Sequence, residues 1–245
     1  MPRLKLPAFK RGAIPTIACI NKAKTPLPIK FATLISALQA YIDGHLAPVW
    51  GTSANLVQAN QPRKDAWTLM FLDSAKHVDV VLKGVDRSKV IGQHKLEHHG
   101  LPLAMVFVEP TLHSQSGLRD RDKISVAASQ ELAEMLVDPG NNLWCEVSEG
   151  TFYAYEVCDP VEEKNFRVHG LWMSNFVYPA YFDLSRKPKS TWFDHMGVVD
   201  RPFQILEDGY MPIKRDGKLV VIHGSSNKKR QFAAENRELH RSEFR

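Results

Sequence analysis

The sequence is poor in cysteine and contains no long apolar run. Cys19, Cys145 and Cys158 are odd in number and lack a Cys-x-x-Cys spacing, so they predict neither a disulfide framework nor a cysteine-ligated metal site. No window approaches the roughly eighteen consecutive apolar residues of a membrane span, and the first residues lack the apolar core of a secretory signal. We therefore expect a cytoplasmic protein that is neither exported nor anchored in a membrane.

A strong charge of one sign is also missing. The sequence has 32 Lys and Arg against 27 Asp and Glu, a net charge of +5, and so small an excess does not by itself predict nucleic-acid binding. No Gly-rich run precedes a predicted helix, which argues against phosphate-loop chemistry. The chain does have 44% hydrophobic residues over 245 positions, enough for a sizeable core, so its composition excludes a disordered or fibrous protein.

The hydrophobic pattern predicts two helices and a series of short strands. Apolar residues at three- and four-residue spacing predict a helix over about 29–46, ended by Pro48, and a second over about 124–137, ended by Asp138-Pro139-Gly140. Helices laid on a sheet indicate the α/β (α+β) class. Short apolar runs bounded by turn residues predict strands at 16–20, 54–57, 67–72, 78–82, 103–108, 144–147, 152–158, 166–173 and 219–223.

Charged extensions flank this pattern. Residues 1–15 carry four positive charges and three prolines, which predicts an extended basic arm. Residues 225–245 predict a charged tail, in which six basic and three acidic side chains follow position 227. We expect one domain over 16–224, with protein partners bound through the arm and the tail. A solvated tail is one alternative, and nucleic acid, supported only by the basic ends, is another.

The stretch most informative about chemistry is the predicted helix over 124–137. Gln130 and Glu134 are four residues apart and Glu131 lies beside them, so the three side chains share one face of a helix. A metallopeptidase helix uses this spacing: two ligands at i and i+4 hold a metal, and the intervening Glu acts as general base. The alternative is an exposed helix face, on which pairs of Glu are common. A neutral amide is a poor zinc ligand, so Gln130 predicts weakened zinc affinity.

The run 129–139 resembles the Ser-His-Glu-x-x-Glu-x-x-x-Asp-Pro helix of a zincin-like family found in bacteria and their phages. Gln130 stands where the family has histidine. The resemblance covers roughly residues 30 to 210. Other stretches that agree with the family, in order, are 47–51, 100–102, 106–108, 156–162 and 174–182.

This resemblance implies a zincin-like architecture, with a twisted mixed sheet, a backing helix and an active-site helix. It implies that Glu131 occupies the position of the general base and Glu134 that of the second metal ligand, with Glu156 or Asp159 as the third. Because Gln130 replaces the first ligand, the fold is expected to be kept and the metal lost.

No cofactor is therefore expected. An ion bound by Gln130, Glu134 and Glu156 would have only oxygen ligands. Such ligands suit calcium, magnesium or manganese better than zinc.

Two further groups are candidates for the site. Tyr178 and Tyr181 flank a proline, and a tyrosine near a zincin metal can stabilise an oxyanion, with packing as the alternative. His94 and His98 have metal-like spacing beside His99. Glycines bound this stretch, which favours a surface loop over a metal or substrate contact.

The sequence leaves three functions open. The first is a catalytically degenerate zincin-like domain that acts as a structural or assembly component of a phage or prophage particle, assembled in the cytoplasm. The second is an active metal-dependent peptidase that recruits His94, His98 or His99 in place of the missing ligand. A nucleic-acid-binding accessory protein is a third possibility, resting only on the basic ends.

Overall fold

The computed structural model describes residues 14–78, 88–97, 100–188 and 190–225. The predicted arm up to residue 13, the predicted strand from residue 79 onward, His98, His99 and the tail from residue 226 lie outside the described residues. Within the described residues the protein is a mixed α/β structure with several sheets and few helices.

The larger sheet has five strands in the order β2-β1-β3-β5-β4. Strands β1, β2, β3 and β5 run parallel, and β4 lies antiparallel to β5 at one edge. All six residues of β5 are buried, as expected of an inner strand covered on both faces. The strands are β1 (Thr16–Asn21), β2 (Asn55–Gln58), β3 (Trp67–Leu72), β4 (Gly92–Leu96) and β5 (Pro102–Phe107).

Among the described residues, four α-helices accompany the sheet, namely α1 (Phe31–Tyr41), α2 (Ala47–Trp50), α3 (Val108–His113) and α4 (Asp120–Val137). The first predicted helix was expected to stop at Pro48, but a π-helical turn (Ile42–Leu46) leads directly into α2. Pro48 lies near the start of α2, where the fixed φ of proline is compatible with a helix. The helix ends instead at Gly51, whose φ of 68° is left-handed.

Helix α1 backs the larger sheet. Its Gln39 amide donates to the Ala54 carbonyl at 2.9 Å and accepts from the Leu56 N–H at 2.8 Å, which ties the helix to β2. The Phe31 ring meets Phe71 of β3 edge to face, with centroids 5.3 Å apart.

Helix α4 is surrounded rather than laid on a surface, because twelve of its eighteen residues are buried. Small residues let other elements approach it closely. The Ser125 hydroxyl donates to the Trp172 carbonyl at 2.7 Å, and the Ser174 N–H donates to Ser129 Oγ at 2.8 Å. The helix begins four residues earlier than predicted, at Asp120, whose carboxylate favours the positive end of the helix dipole.

Antiparallel strands complete the fold. A second sheet has the order β11-β10-β7-β6 and a two-stranded hairpin pairs β8 with β9. The predicted strand over 166–173 is this hairpin, since His169 and Gly170 both have positive φ and turn the chain. The elements are β6 (Trp144–Ser148), β7 (Thr151–Ala154), β8 (Asn165–Val168), β9 (Leu171–Ser174), β10 (Tyr210–Arg215) and β11 (Lys218–His223).

One hydrophobic core joins these parts, from Ile17 of β1 through Met135 of α4 to Ile213 of β10. No helix in the described part of the chain is both long and apolar enough to cross a membrane.

Candidate metal centre

A cleft of about 370 Å³ opens between the edge strand β4 and helix α4. Its position follows from the register of β4, in which Gly92 pairs with Val106 and His94 with Ala104. Val106 and Ala104 belong to the core on the side of α4, so Gly92 and His94 face that helix. The cleft is lined, among others, by Gln93, His94, Gln130, Glu131, Glu134, Asp159 and Tyr210.

The acidic pair on α4 lies inside the protein at the wall of this cleft. Glu131 is 7% exposed and Glu134 is 2% exposed. Glu134 Oε1 accepts a hydrogen bond from the Cys158 N–H at 3.3 Å. The alternative of an exposed helix face is therefore wrong for this pair, because α4 is enclosed on most sides.

Two downstream carboxyl groups reach Glu134. Glu156 and Asp159 are 0% and 1% exposed; Glu156 follows β7 and Asp159 starts a 3-10 turn, Asp159–Val161. One carboxylate oxygen from each of Glu134, Glu156 and Asp159 lies within 4.8 Å of the other two. The residues that the resemblance assigned to the second and third ligand positions thus come together in space.

Gln130 also reaches this group, but through its N–H₂ group. Its Nε2 donates to Asp159 Oδ1 at 3.1 Å. An amide that faces a carboxylate must present its N–H, because its own carbonyl oxygen would be repelled. The helix position that carries an imidazole ligand in the resembling family is therefore occupied by a hydrogen-bond donor.

His94 joins the cluster from the opposite wall. It is 3% exposed, and its Nδ1 lies 3.9 Å from Glu131 Oε2 and 4.0 Å from Glu134 Oε2. The surface loop expected here is wrong for this residue, since Gly92–Leu96 is a strand and the chain reverses only after Glu97. The polar sequence Gln-His-Lys does not predict a strand. His94 is buried by α4, and this burial cannot be inferred from the sequence.

A glycine makes room for this approach. A Cβ atom added at Gly92 would overlap the carboxylate of Glu131. The missing side chain lets α4 bring Glu131 directly over β4, next to His94.

The cluster holds several ionisable side chains in the protein interior. The side chains of Glu131, Glu134, Glu156, Asp159 and His94 are all at least nine-tenths buried. Carboxylates this close in a poorly solvated volume repel one another, so protons or positive charge must accompany their burial. A divalent cation is one way to supply that charge.

The two candidate tyrosines lie elsewhere. Tyr178 is half-buried, and its hydroxyl lies 3.1 Å from Nδ1 of His195, which in turn contacts His45 at 2.9 Å. Tyr181 is fully buried against Phe182 and Phe203. Neither tyrosine is among the described residues that line the cleft, and their oxyanion-binding role stays a prediction.

The cysteines offer no nucleophile. Cys19, Cys145 and Cys158 are all free and buried. Burial raises the pKa of the Cys158 thiol well above its usual range, and Glu134 raises it further. Cys158 is therefore a buried residue of the core and not a reactive thiol.

No family model, no curated protein and no solved structure matches this chain.

Proposed function

We propose that this chain is a catalytically degenerate zincin-like domain that acts as a structural component in an assembly. The observation that carries the proposal is the hydrogen bond from Gln130 Nε2 to Asp159 Oδ1 at 3.1 Å. It joins the residue at the first motif position to one of the expected metal ligands.

The chemistry of this bond argues against a working zinc peptidase of the usual plan. A catalytic zinc needs three protein ligands with available lone pairs and one open position for water. An amide N–H has no lone pair to give. Of the three ligand positions that the resemblance implies, only Glu134 and one downstream carboxylate remain, which are too few for a tight zinc site.

The architecture supports the zincin-like part of the proposal. A mixed sheet with one antiparallel edge strand lies beside α4, and α1 packs on the sheet as a backing helix. The acidic residues of α4 face the edge strand across the cleft. This is the arrangement of sheet, backing helix and active-site helix that the resemblance leads us to expect.

The assembly role rests on the two charged extensions. Residues 1–15 hold four positive charges, and the tail holds six basic side chains after position 227. Basic segments outside a folded domain are suited to bind an acidic partner surface. We propose a phage or prophage particle built in the cytoplasm as the assembly.

A cleavage assay tests the degenerate part. The full chain, purified from metal-replete cells, is incubated with a mixed peptide library, and products are followed by mass spectrometry. We expect no cleavage above that of the Glu131→Gln variant. Cleavage by the parent that Glu131→Gln abolishes would overturn the proposal.

The assembly role has a separate test. Quantitative mass spectrometry of gradient-purified particles from a producing culture should find the chain at a fixed copy number per particle. Its absence from those particles would overturn this part of the proposal.

An active metal-dependent peptidase is the second candidate. It is favoured by one observation, the imidazole of His94 within 4.0 Å of Glu131 and Glu134. A replacement ligand on β4 would leave Glu131 in the cleft beside the ion. The same cleavage assay separates the two candidates.

A further inference from the structure

We propose that His94, Glu131 and Glu134 form a binding site for a divalent transition-metal cation, in which β4 supplies the imidazole that α4 lacks. The inference goes beyond the degenerate scaffold, since a scaffold needs no ion, and it does not depend on that proposal. It differs from the all-oxygen site that the sequence led us to expect around Gln130.

The three proposed ligand atoms lie close together. One atom from each of His94, Glu131 and Glu134 lies within 4.8 Å of the other two. The two distances from His94 Nδ1, 3.9 Å and 4.0 Å, exceed the roughly 2.7–2.9 Å of a charge-assisted hydrogen bond. Donors about 2.1 Å from one cation lie roughly 3.0–3.5 Å apart, so a small rotation of each side chain would close the site.

The donor types select the class of cation. Carboxylates suit hard ions such as Mn²⁺, whereas imidazole suits Zn²⁺, Fe²⁺ and their neighbours. A site with one imidazole and two carboxylates therefore favours Mn²⁺ or Zn²⁺ over Ca²⁺ and Mg²⁺, which prefer oxygen ligands alone.

The surroundings fit a bound cation. Glu156 and Asp159 lie within 4.8 Å of Glu134, and their negative charge would strengthen the attraction for a cation bound there. The hydrogen bond from Gln130 fixes the orientation of Asp159, as outer-sphere partners do in metal sites.

The cation also has a path to the site. The cleft that His94, Glu131 and Glu134 line is open to solvent on one side. Each ligand sits on regular structure, His94 on β4 and both carboxylates on α4, which holds the ligands in place before binding.

Metal titration of the full chain tests the site. After treatment with a chelator and its removal, Mn²⁺ and Zn²⁺ are titrated separately by calorimetry, and Mn²⁺ also by electron paramagnetic resonance. We expect one ion per chain for at least one of the two metals. His94→Ala should weaken binding by at least about ten-fold.

His113→Ala is the matched control. His113 lines the same cleft, but its ring contacts the Glu109 carbonyl at 2.7 Å and stands apart from the acidic cluster. We expect it to bind the metal as the parent does. Glu134→Gln, which keeps the side-chain shape, should lose binding as His94→Ala does, and circular dichroism checks that each variant is folded.

Each outcome decides something. Absence of Mn²⁺ and Zn²⁺ binding by the folded parent would overturn the site, as would equal affinity in His94→Ala and His113→Ala. His94-dependent binding without peptide cleavage would support both the site and the degenerate scaffold. Binding with cleavage that needs His94 and Glu131 would support the site and overturn the scaffold.

Discussion

The side-chain amide of Gln130 donates to the carboxylate of Asp159 across 3.1 Å, and so joins helix α4 to the 3-10 turn that begins at Asp159. The two residues are 29 positions apart in the sequence. The resemblance implies that Gln130 occupies the position of the first metal ligand and that Asp159 or Glu156 occupies the third. Our proposal takes this bond as the reason why Gln130 does not act as a metal ligand.

Replacing the amide by an imidazole should restore a zinc ligand. Gln130→His breaks the bond to Asp159 and turns a lone pair toward Glu134 and the downstream carboxylates, so zinc affinity should rise roughly ten-fold or more. Calorimetry measures the affinity. Gln130→Leu, which removes the amide without adding a ligand, is the control; a similar result for both variants would mean that the carboxylates do not converge on one ion.

A methyl group at Gly92 should disturb the contact between β4 and α4. Gly92→Ala would overlap the Glu131 side chain, and overpacking of this kind costs about 1–3 kcal/mol of the free energy of unfolding. Urea denaturation measures the loss. Gly44→Ala is the control, because nothing lies within 4 Å of a Cβ there; equal stability of the two variants would contradict the close approach.

Removing the hydroxyl of Ser129 should leave a buried N–H without its acceptor. Ser129 Oγ accepts from the Ser174 N–H at 2.8 Å, where α4 meets β9. Ser129→Ala should therefore lower the free energy of unfolding by about 1–3 kcal/mol. Ser36→Ala, on the exposed side of α1, should change it by less than about 0.5 kcal/mol. If both variants unfold at the same denaturant concentration, the buried hydrogen bond contributes nothing.

Acid should destabilise the protein through His195. Burial, aided by the neighbouring His45 and opposed by Asp194, lowers the pKa of His195 to about 4 from its usual 6.5. Between these values the unfolded chain binds a proton that the folded chain does not, so stability falls as pH falls from about 6.5 to about 4 and is highest above that range. Unfolding by urea at a series of pH values measures the slope.

His195→Gln removes the titrating ring and keeps a side chain of similar size that can still form hydrogen bonds. The variant should show a flatter dependence of stability on pH over the same range. A slope equal to that of the parent would show that His195 is not the group responsible.

Local patterns in the sequence predict much of the fold. The strand predicted at 67–72 matches β3 residue for residue, and both predicted helices form, although α4 starts a turn earlier and the first continues past Pro48. Strand β10 was not predicted, because Pro212 interrupts it. The structure tolerates the proline since pairing with β7 begins only at Ile213.

The sequence alone determined that Gln130, Glu131 and Glu134 share one face of a helix, because helical periodicity is a property of neighbouring residues. Only the tertiary structure decided what that face meets. In the fold this face is buried against the edge strand, and His94 lies beside Glu131 and Glu134. The Gln130 amide donates to Asp159, and the Tyr178 hydroxyl contacts His195. These contacts join segments far apart in the chain, and strand register and helix packing select them through burial and charge that no local pattern encodes.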